Sequence, residues 1–132
     1  MWDPETLSMT TLLLNYSGIE TIPKGLEKLI HLKRLSLNRN NLSEIDNLPT
    51  NLEYLDLYDN NITSIPPSIH LPNLKELRLD SNPIAEFPLS LLEGSLQKLS
   101  ITTTNLKIQW LESLGEATKR FIDLVMDTDS AT

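Results

Sequence analysis

Apolar positions in this chain recur with a beat of about 22 residues, far longer than strand alternation or a helical turn. Five segments align on one template: MTTLLLNYSGI from Met9, LKRLSLNRNNL from Leu32, LEYLDLYDNNI from Leu52, LKELRLDSNPI from Leu74 and LQKLSITTTNL from Leu96. Their starts are 23, 20, 22 and 22 residues apart, and apolar residues fill the first, fourth, sixth and eleventh places every time. In an extended chain, alternate residues point to one side. Leu35 and Leu37, Leu55 and Leu57, and Leu77 and Leu79 therefore face a common interior. One such strand cannot bury its apolar face alone, whereas stacked neighbours share a continuous core. Each buried leucine contributes roughly 1.5–3 kcal/mol before entropy is set against it. The expected fold is an α/β solenoid, a short right-handed superhelix with a parallel concave sheet of about five strands.

The spacers set the back of this coil. IPKGLEKLI and FPLSLLEG suit a helical turn, SIPPSIHLP is too proline-rich for a regular helix, and SEIDNLPT has no room for one. Both ends look closed. Asp3 reads as an N-cap with Pro4 at the first helical position, and Trp2 is placed to staple onto Leu7. Past Leu106, the apolar residues Leu111, Leu114, Phe121, Ile122 and Val125 have helical spacing. A solenoid exposes raw core at its last turn, so a C-terminal capping helix is expected there, weakened by about 1 kcal/mol at Gly115. The organisation that follows is a single domain: residues 1–8 as an N-terminal cap, 9–106 as five repeats, 107–126 as the capping helix and 127–132 as a flexible tail.

The template, LxxLxLxxNxL, resembles that of the leucine-rich repeat family, and the likeness runs almost unbroken from Met9 to Leu106. IETIPKGLEKLIHLKRLSLNRNNL is most similar to intracellular Ras-group repeats, and LEYLDLYDNNI equally resembles the regulators of protein phosphatase 1. The resemblance implies the solenoid and a protein-binding role without naming a partner, because this scaffold binds many unrelated things. It also agrees with chemistry on Asn40, Asn60 and Asn82, which recur at the ninth place. A buried amide there satisfies backbone groups where the chain turns inward. Ser17 and Thr104 stand at that place in the outer repeats.

Composition narrows the chemistry. Leucine makes up about a fifth of the 132 residues. Cysteine is absent, which removes disulfides, thiolate nucleophiles and the usual structural zinc sites. His31 and His70, the two histidines, fall at non-equivalent template places, so stacking does not bring them together. The acidic pairs Asp56/Asp59 and Glu76/Asp80 lack EF-hand spacing, and no P-loop or dinucleotide fingerprint is present. A non-enzyme without cofactor or metal is expected. The net charge of −7 disfavours sequence-independent nucleic-acid binding, since phosphates would be repelled. No apolar run approaches the roughly 18 residues of a membrane span, and the first residues lack the order of a signal peptide. Asn15, Asn41 and Asn61 match the glycosylation acceptor pattern, at about the frequency chance gives. A cytoplasmic, monomeric protein is the expectation, with weak self-association through edge strands as an option.

Function then rests on the residues between the leucines. Arg34, Arg39, Tyr54, Asp56, Tyr58, Arg78 and Asp80 are expected to point outward on the concave sheet and to form the partner-binding set. Tyrosine and arginine concentrate binding energy at interfaces, and Leu13 and Tyr16 extend the patch toward the first strand. Equivalent places are neighbours in a stacked sheet, so Lys33–Glu53–Lys75, Arg39–Asp59 and Asp56–Arg78 also alternate in sign. Such pairs alone would make a self-compensated surface worth roughly 0.2–1 kcal/mol each. The expected role is an adaptor or regulator that binds a protein partner. An inhibitor or effector that blocks a partner enzyme is the first alternative, and a structural self-associating protein is the second.

Overall fold

The computed structural model describes residues 3–86, 88–102, 106, 108–117, 119–121, 123 and 125. Its centre is a parallel sheet of five three-residue strands in sequential order: β1 (Thr11–Leu13), β2 (Arg34–Ser36), β3 (Tyr54–Asp56), β4 (Glu76–Arg78) and β5 (Lys98–Ser100). The register keeps template places level across the sheet. Leu12, Leu35, Leu55, Leu77 and Leu99 align in one row, and Leu13, Ser36, Asp56, Arg78 and Ser100 in the next. Each turn of the chain therefore adds one strand to the same edge.

The aliphatic ladder closes inside the coil. Leu32, Leu35, Leu37, Leu52, Leu55, Leu57, Leu74, Leu77, Leu79, Leu96 and Leu99 are buried in one cluster with Ile62 and Ile84. The first repeat is less covered, with Met9, Leu12, Leu14 and Ile19 only partly buried. Among the described strands, β1 pairs on one side only, with β2.

The short elements outside the sheet follow their local sequence. Helix α1 (Pro4–Leu7) starts as expected: Asp3 Oδ1 accepts the Thr6 N–H at 2.8 Å, and Pro4 takes the first turn. Hydrogen bonds from Thr6, that of its backbone N–H foremost, hold the Asp3 carboxyl below its ordinary range. The Trp2 side of the staple lies outside the described residues. Spacer IPKGLEKLI makes a 3₁₀ turn at Leu26–Lys28, entered through Gly25 at φ 91°, and FPLSLLEG makes α2 (Leu89–Glu93). Neither SEIDNLPT nor SIPPSIHLP forms a helix.

At the C-terminal end, the expected single helix over 107–126 is not what the described residues form. Helix α3 (Ile108–Glu112) stops, a 3₁₀ turn follows at Gly115–Ala117, and helical residues resume at 119–121. Gly115 sits at φ 54°, a left-handed conformation that a continuous α-helix does not accommodate. Glycine breaks the helix here, where a propensity argument treated it only as a weak spot. Leu114 and Phe121 are still buried in the core cluster, and Arg120 donates to the carbonyls of Leu92 and Leu96. The residues of the expected tail, 127–132, lie outside the described set.

Candidate functional site

The ninth-place asparagines sit directly beneath the concave sheet and hold its exit turns. Asn82 is 1% exposed; its Nδ2 donates to the carbonyls of Leu57, Leu79 and Asp80 at 2.9, 3.1 and 3.2 Å, while its Oδ1 accepts the Ile62 N–H at 3.1 Å. Asn60 repeats the pattern one turn earlier with Leu37, Leu57, Tyr58 and Leu42. Asn40 does the same toward the first repeat, where its Oδ1 accepts from both Ser17 and Ile19. Ser17, at the ninth place of the first repeat, thus donates its own N–H to Asn40. Thr104 lies outside the described residues.

The turn just before each asparagine is left-handed. Tyr16, Arg39, Asp59 and Ser81 occupy the eighth place of four repeats and have φ of 56°, 57°, 57° and 58°. Each sends its backbone N–H to the seventh-place carbonyl of the next repeat, from 2.8 to 3.2 Å away. The strain is offset by a hydrogen bond that locks neighbouring turns together. Sequence reading gave no sign of it, because none of the four is glycine.

Of the seven residues expected to face outward, Arg34, Arg39 and Arg78 are exposed and Tyr54 and Tyr58 are half-buried. Asp56 and Asp80 are buried, each 4% exposed, as is Ser36. The assignment of those two aspartates to an open binding surface is therefore corrected. On the inner wall of a curve, side chains converge, and the fifth and seventh places cover each other. Asp56 Oδ2 accepts from Asn38 Nδ2 at 2.9 Å and its Oδ1 accepts the Tyr58 N–H at 3.0 Å. Asp80 accepts from the Thr102 N–H and hydroxyl, from the Ser100 hydroxyl and from Arg78 Nε. Burial alone would raise the Asp80 carboxyl, but those bonds together outweigh it and hold the group below its ordinary value. Asn15 extends the same ladder to the first repeat: its Oδ1 accepts from Ser36 Oγ at 2.6 Å and from the Asn38 N–H at 3.0 Å.

The charged rows resolve the pairings set out from the sequence. Glu53 is shared between Lys33 at 3.0 Å and Lys75 at 3.5 Å, and Lys33's hydrogen bond is the main reason its carboxyl is held low. Arg78 lies 4.0 Å from Asp56 and 3.4 Å from Asp80. Arg39 makes no ion pair with Asp59. Instead it lies over two rings, 5.0 Å from the Tyr16 centroid and 5.5 Å from Tyr58, and donates to the Tyr16 hydroxyl. Arg78 lies 4.9 Å from the other side of this group at Tyr58, so Tyr16, Arg39, Tyr58 and Arg78 form a cation–π ladder across four repeats. Separately, Arg34 lies 4.5 Å over Tyr54. Beside these stacks, Leu13 and Tyr16 are 65% and 71% exposed.

On the convex side, a cleft of about 520 Å³ opens between the spacers SEIDNLPT and SIPPSIHLP, lined by Glu44, Ile45, Asp46, Leu48, Pro66 and His70 among others. It exists because neither spacer supplies a helix. Two adjacent helix-poor spacers were its sequence signal. Among the described residues, no three His, Asp or Glu side chains cluster to hold a metal ion.

A coil of sequential parallel strands, the middle three each followed by a buried asparagine that ties one turn to the next, defines a solenoid repeat protein. The family model for leucine-rich repeats in two copies matches residues 50–93, and this chain belongs to the leucine-rich repeat proteins. It is 32% identical over 121 residues to fibromodulin of Bos taurus, and 34% identical over 96 residues to leucine-rich repeat-containing protein 43 of Mus musculus. Those matches take in 80% and 67% of this chain but only 32% and 13% of the relatives' own lengths. Among solved structures it is similar to the Drosophila melanogaster SNF/U2A' complex, with a TM-score of 0.66 at 26% identity, covering 90% of this chain and 79% of that one. A leucine-rich repeat protein of Leptospira interrogans shares the fold at a TM-score of 0.61 and 24% identity, over 77% of this chain and 33% of that one. No helix among the described residues is long and apolar enough to cross a membrane.

Proposed function

We propose that this protein is a non-catalytic interaction module of the cytoplasm that docks a protein partner on the β1–β3 part of its concave face. One observation carries the reading: exposed Leu13 and Tyr16 adjoin arginines already held against tyrosine rings. Side chains fixed before binding lose little rotamer entropy when the partner arrives. Leucine-rich repeat proteins commonly act by binding proteins, and the similar Drosophila chain comes from a complex. The sheet is small. Five strands about 4.8 Å apart span only about 19 Å, so the wall falls short of the roughly 800 Å² per partner of a stable interface. The contact is therefore transient, or it recruits the flanking loops.

The test uses Arg39→Glu combined with Tyr16→Ala, both exposed positions. Arg78 is left intact, because a glutamate there would set a third acid against buried Asp56 and Asp80. Cross-linked partners of the intact protein are identified by mass spectrometry, with circular dichroism confirming that the variant stays folded. Loss of a specific partner supports the docking face. Undiminished recovery from the folded variant removes it.

A second reading, self-association, draws on the outer edge of β1, unpaired among the described residues, and on Leu13. Concentration-dependent sedimentation that Leu13→Lys abolishes would favour it.

A further inference from the structure

The three arginines of the concave face are not equivalent. Arg78 is neutralised where it stands, between Asp56 and Asp80. Lys33 and Lys75 likewise share Glu53. Arg34 and Arg39 have no carboxylate within ion-pair distance among the described residues, and both are exposed. Each is oriented by a tyrosine ring instead. Stacking occupies the flat face of a guanidinium and leaves its edge to a carboxylate, which accepts two in-plane N–H groups at once. Arg39 gives one Nη1 hydrogen to the Tyr16 hydroxyl and offers the carboxylate its remaining N–H groups.

We propose that Arg34 and Arg39 receive two carboxylates of an extended acidic peptide segment in a partner protein, with Leu13 taking an apolar side chain between them. This rests on the docking face above and narrows its occupant. The two arginines stand five positions apart in one repeat, so at most about 17 Å separates them along the chain, and a segment of about five extended residues spans that. Leu13 is in register with Ser36, which lies between the two in sequence. The recognised pattern is acid, apolar, acid. A nucleic-acid backbone fits less well, because its continuous charge would also meet Glu53 and Glu76 on the same sheet of an acidic chain. A short segment brings few charges, and at physiological salt the repulsion from the rest of the protein fades beyond about 8 Å.

The probe is a fluorescein-labelled octapeptide, EELDELEE, against its amide counterpart QQLNQLQQ, titrated by fluorescence anisotropy on the full chain. The expected result is a dissociation constant near about 10⁻⁴ M for the acidic peptide, as suits so small a wall, and binding at least about tenfold weaker for the amide one. Arg34→Gln and Arg39→Gln each weaken the acidic peptide about tenfold, while Lys119→Gln, outside the sheet and paired with Asp123, leaves it unchanged. In ¹⁵N spectra the Arg34 and Arg39 Nε–H signals shift on addition of the peptide. Equal affinity for both peptides, wild-type affinity in Arg34→Gln and Arg39→Gln, or no binding by about 1 mM peptide would each overturn the proposal. The docking face is judged separately, by whether Arg39→Glu with Tyr16→Ala loses its cross-linked partner.

Discussion

Replacing Asn82 by alanine tests the device that holds the coil together. The side chain fills two roles at once, donating to three carbonyls and accepting the Ile62 N–H at 3.1 Å. Its amide carries two hydrogens for those three carbonyls, so the contacts at 2.9 and 3.1 Å take the larger share. At 1% exposure, no solvent is at hand to replace them. Alanine orphans one buried N–H, at about 1–3 kcal/mol, and leaves two carbonyls short of a partner at somewhat less each. The expected loss is about 3–5 kcal/mol, a large part of the roughly 5–15 kcal/mol that holds a domain folded. Urea unfolding followed by far-ultraviolet circular dichroism measures it, with a fall in Tm of about 10–20 °C as the thermal counterpart. Neighbouring Asn61, which is exposed, is the control, and its alanine variant stays within about 0.5 kcal/mol of the parent. Asn82→Asp sharpens the test. It keeps the acceptor for Ile62 but sets a carboxyl against three carbonyls, which raises its pKa. A raised folded pKa gives stability that is present at low pH and lost as pH climbs through it. The deficit of Asn82→Asp against the parent is therefore smaller at about pH 4 than at about pH 7. A cost below about 1 kcal/mol for alanine, or an aspartate deficit indifferent to pH, would refute the reasoning.

Asp80 gives the opposite pH dependence. Its folded-state carboxyl is held low, so the stability it contributes is complete above the unfolded value of about 3.9 and is lost as pH falls through the folded one. Asp80→Asn should cost about 2–3 kcal/mol at neutral pH, and the gap from the parent should narrow in acid; equal gaps in denaturant melts at both pH values would count against the hydrogen-bond account. The left-handed eighth place predicts that Asp59→Val costs about 1–2 kcal/mol while Asp59→Gly stays within about 0.5 kcal/mol, although both remove the same carboxylate. Matching urea midpoints for the two would show that the backbone conformation is not what matters there.

The repeat beat was enough to place every strand, because four apolar places per segment admit one inward face and one register. The ninth-place asparagines were equally legible, since a recurring amide after a strand has few other uses. What escaped was the effect of the expected curvature on the side chains of the inner wall. Seen along one strand, Asp56 and Asp80 alternate with leucines and must point away from the core. Only the concave bend brings Asn38, Arg78, Ser100 and Thr102 over them, and no single segment carries that information. The charge alternation that paired Arg39 with Asp59 failed for a related reason. In its left-handed turn Arg39 meets the rings of Tyr16 and Tyr58. Gly115 was weighed as a propensity and acted as a dihedral.

The same geometry divides the concave wall into two halves with different uses. From Asp56 to Thr102, nearly every polar side chain of the fifth and seventh places is turned to its neighbours, and Arg78 is spent on two acids. A partner seated over β4 and β5 would have to break hydrogen bonds to a buried carboxylate, at about 1.5–3 kcal/mol apiece, before it gained anything. Over β1 and β2 the ladder ends in Asn15 and Ser36, the serine's row continues into Leu13, and the arginines lean on rings instead of acids. Among the described residues, no buried carboxylate lies on those two strands. The proposed docking half is thus the one where the internal polar ladder runs out, which makes its position a consequence of how the rest of the sheet satisfies itself.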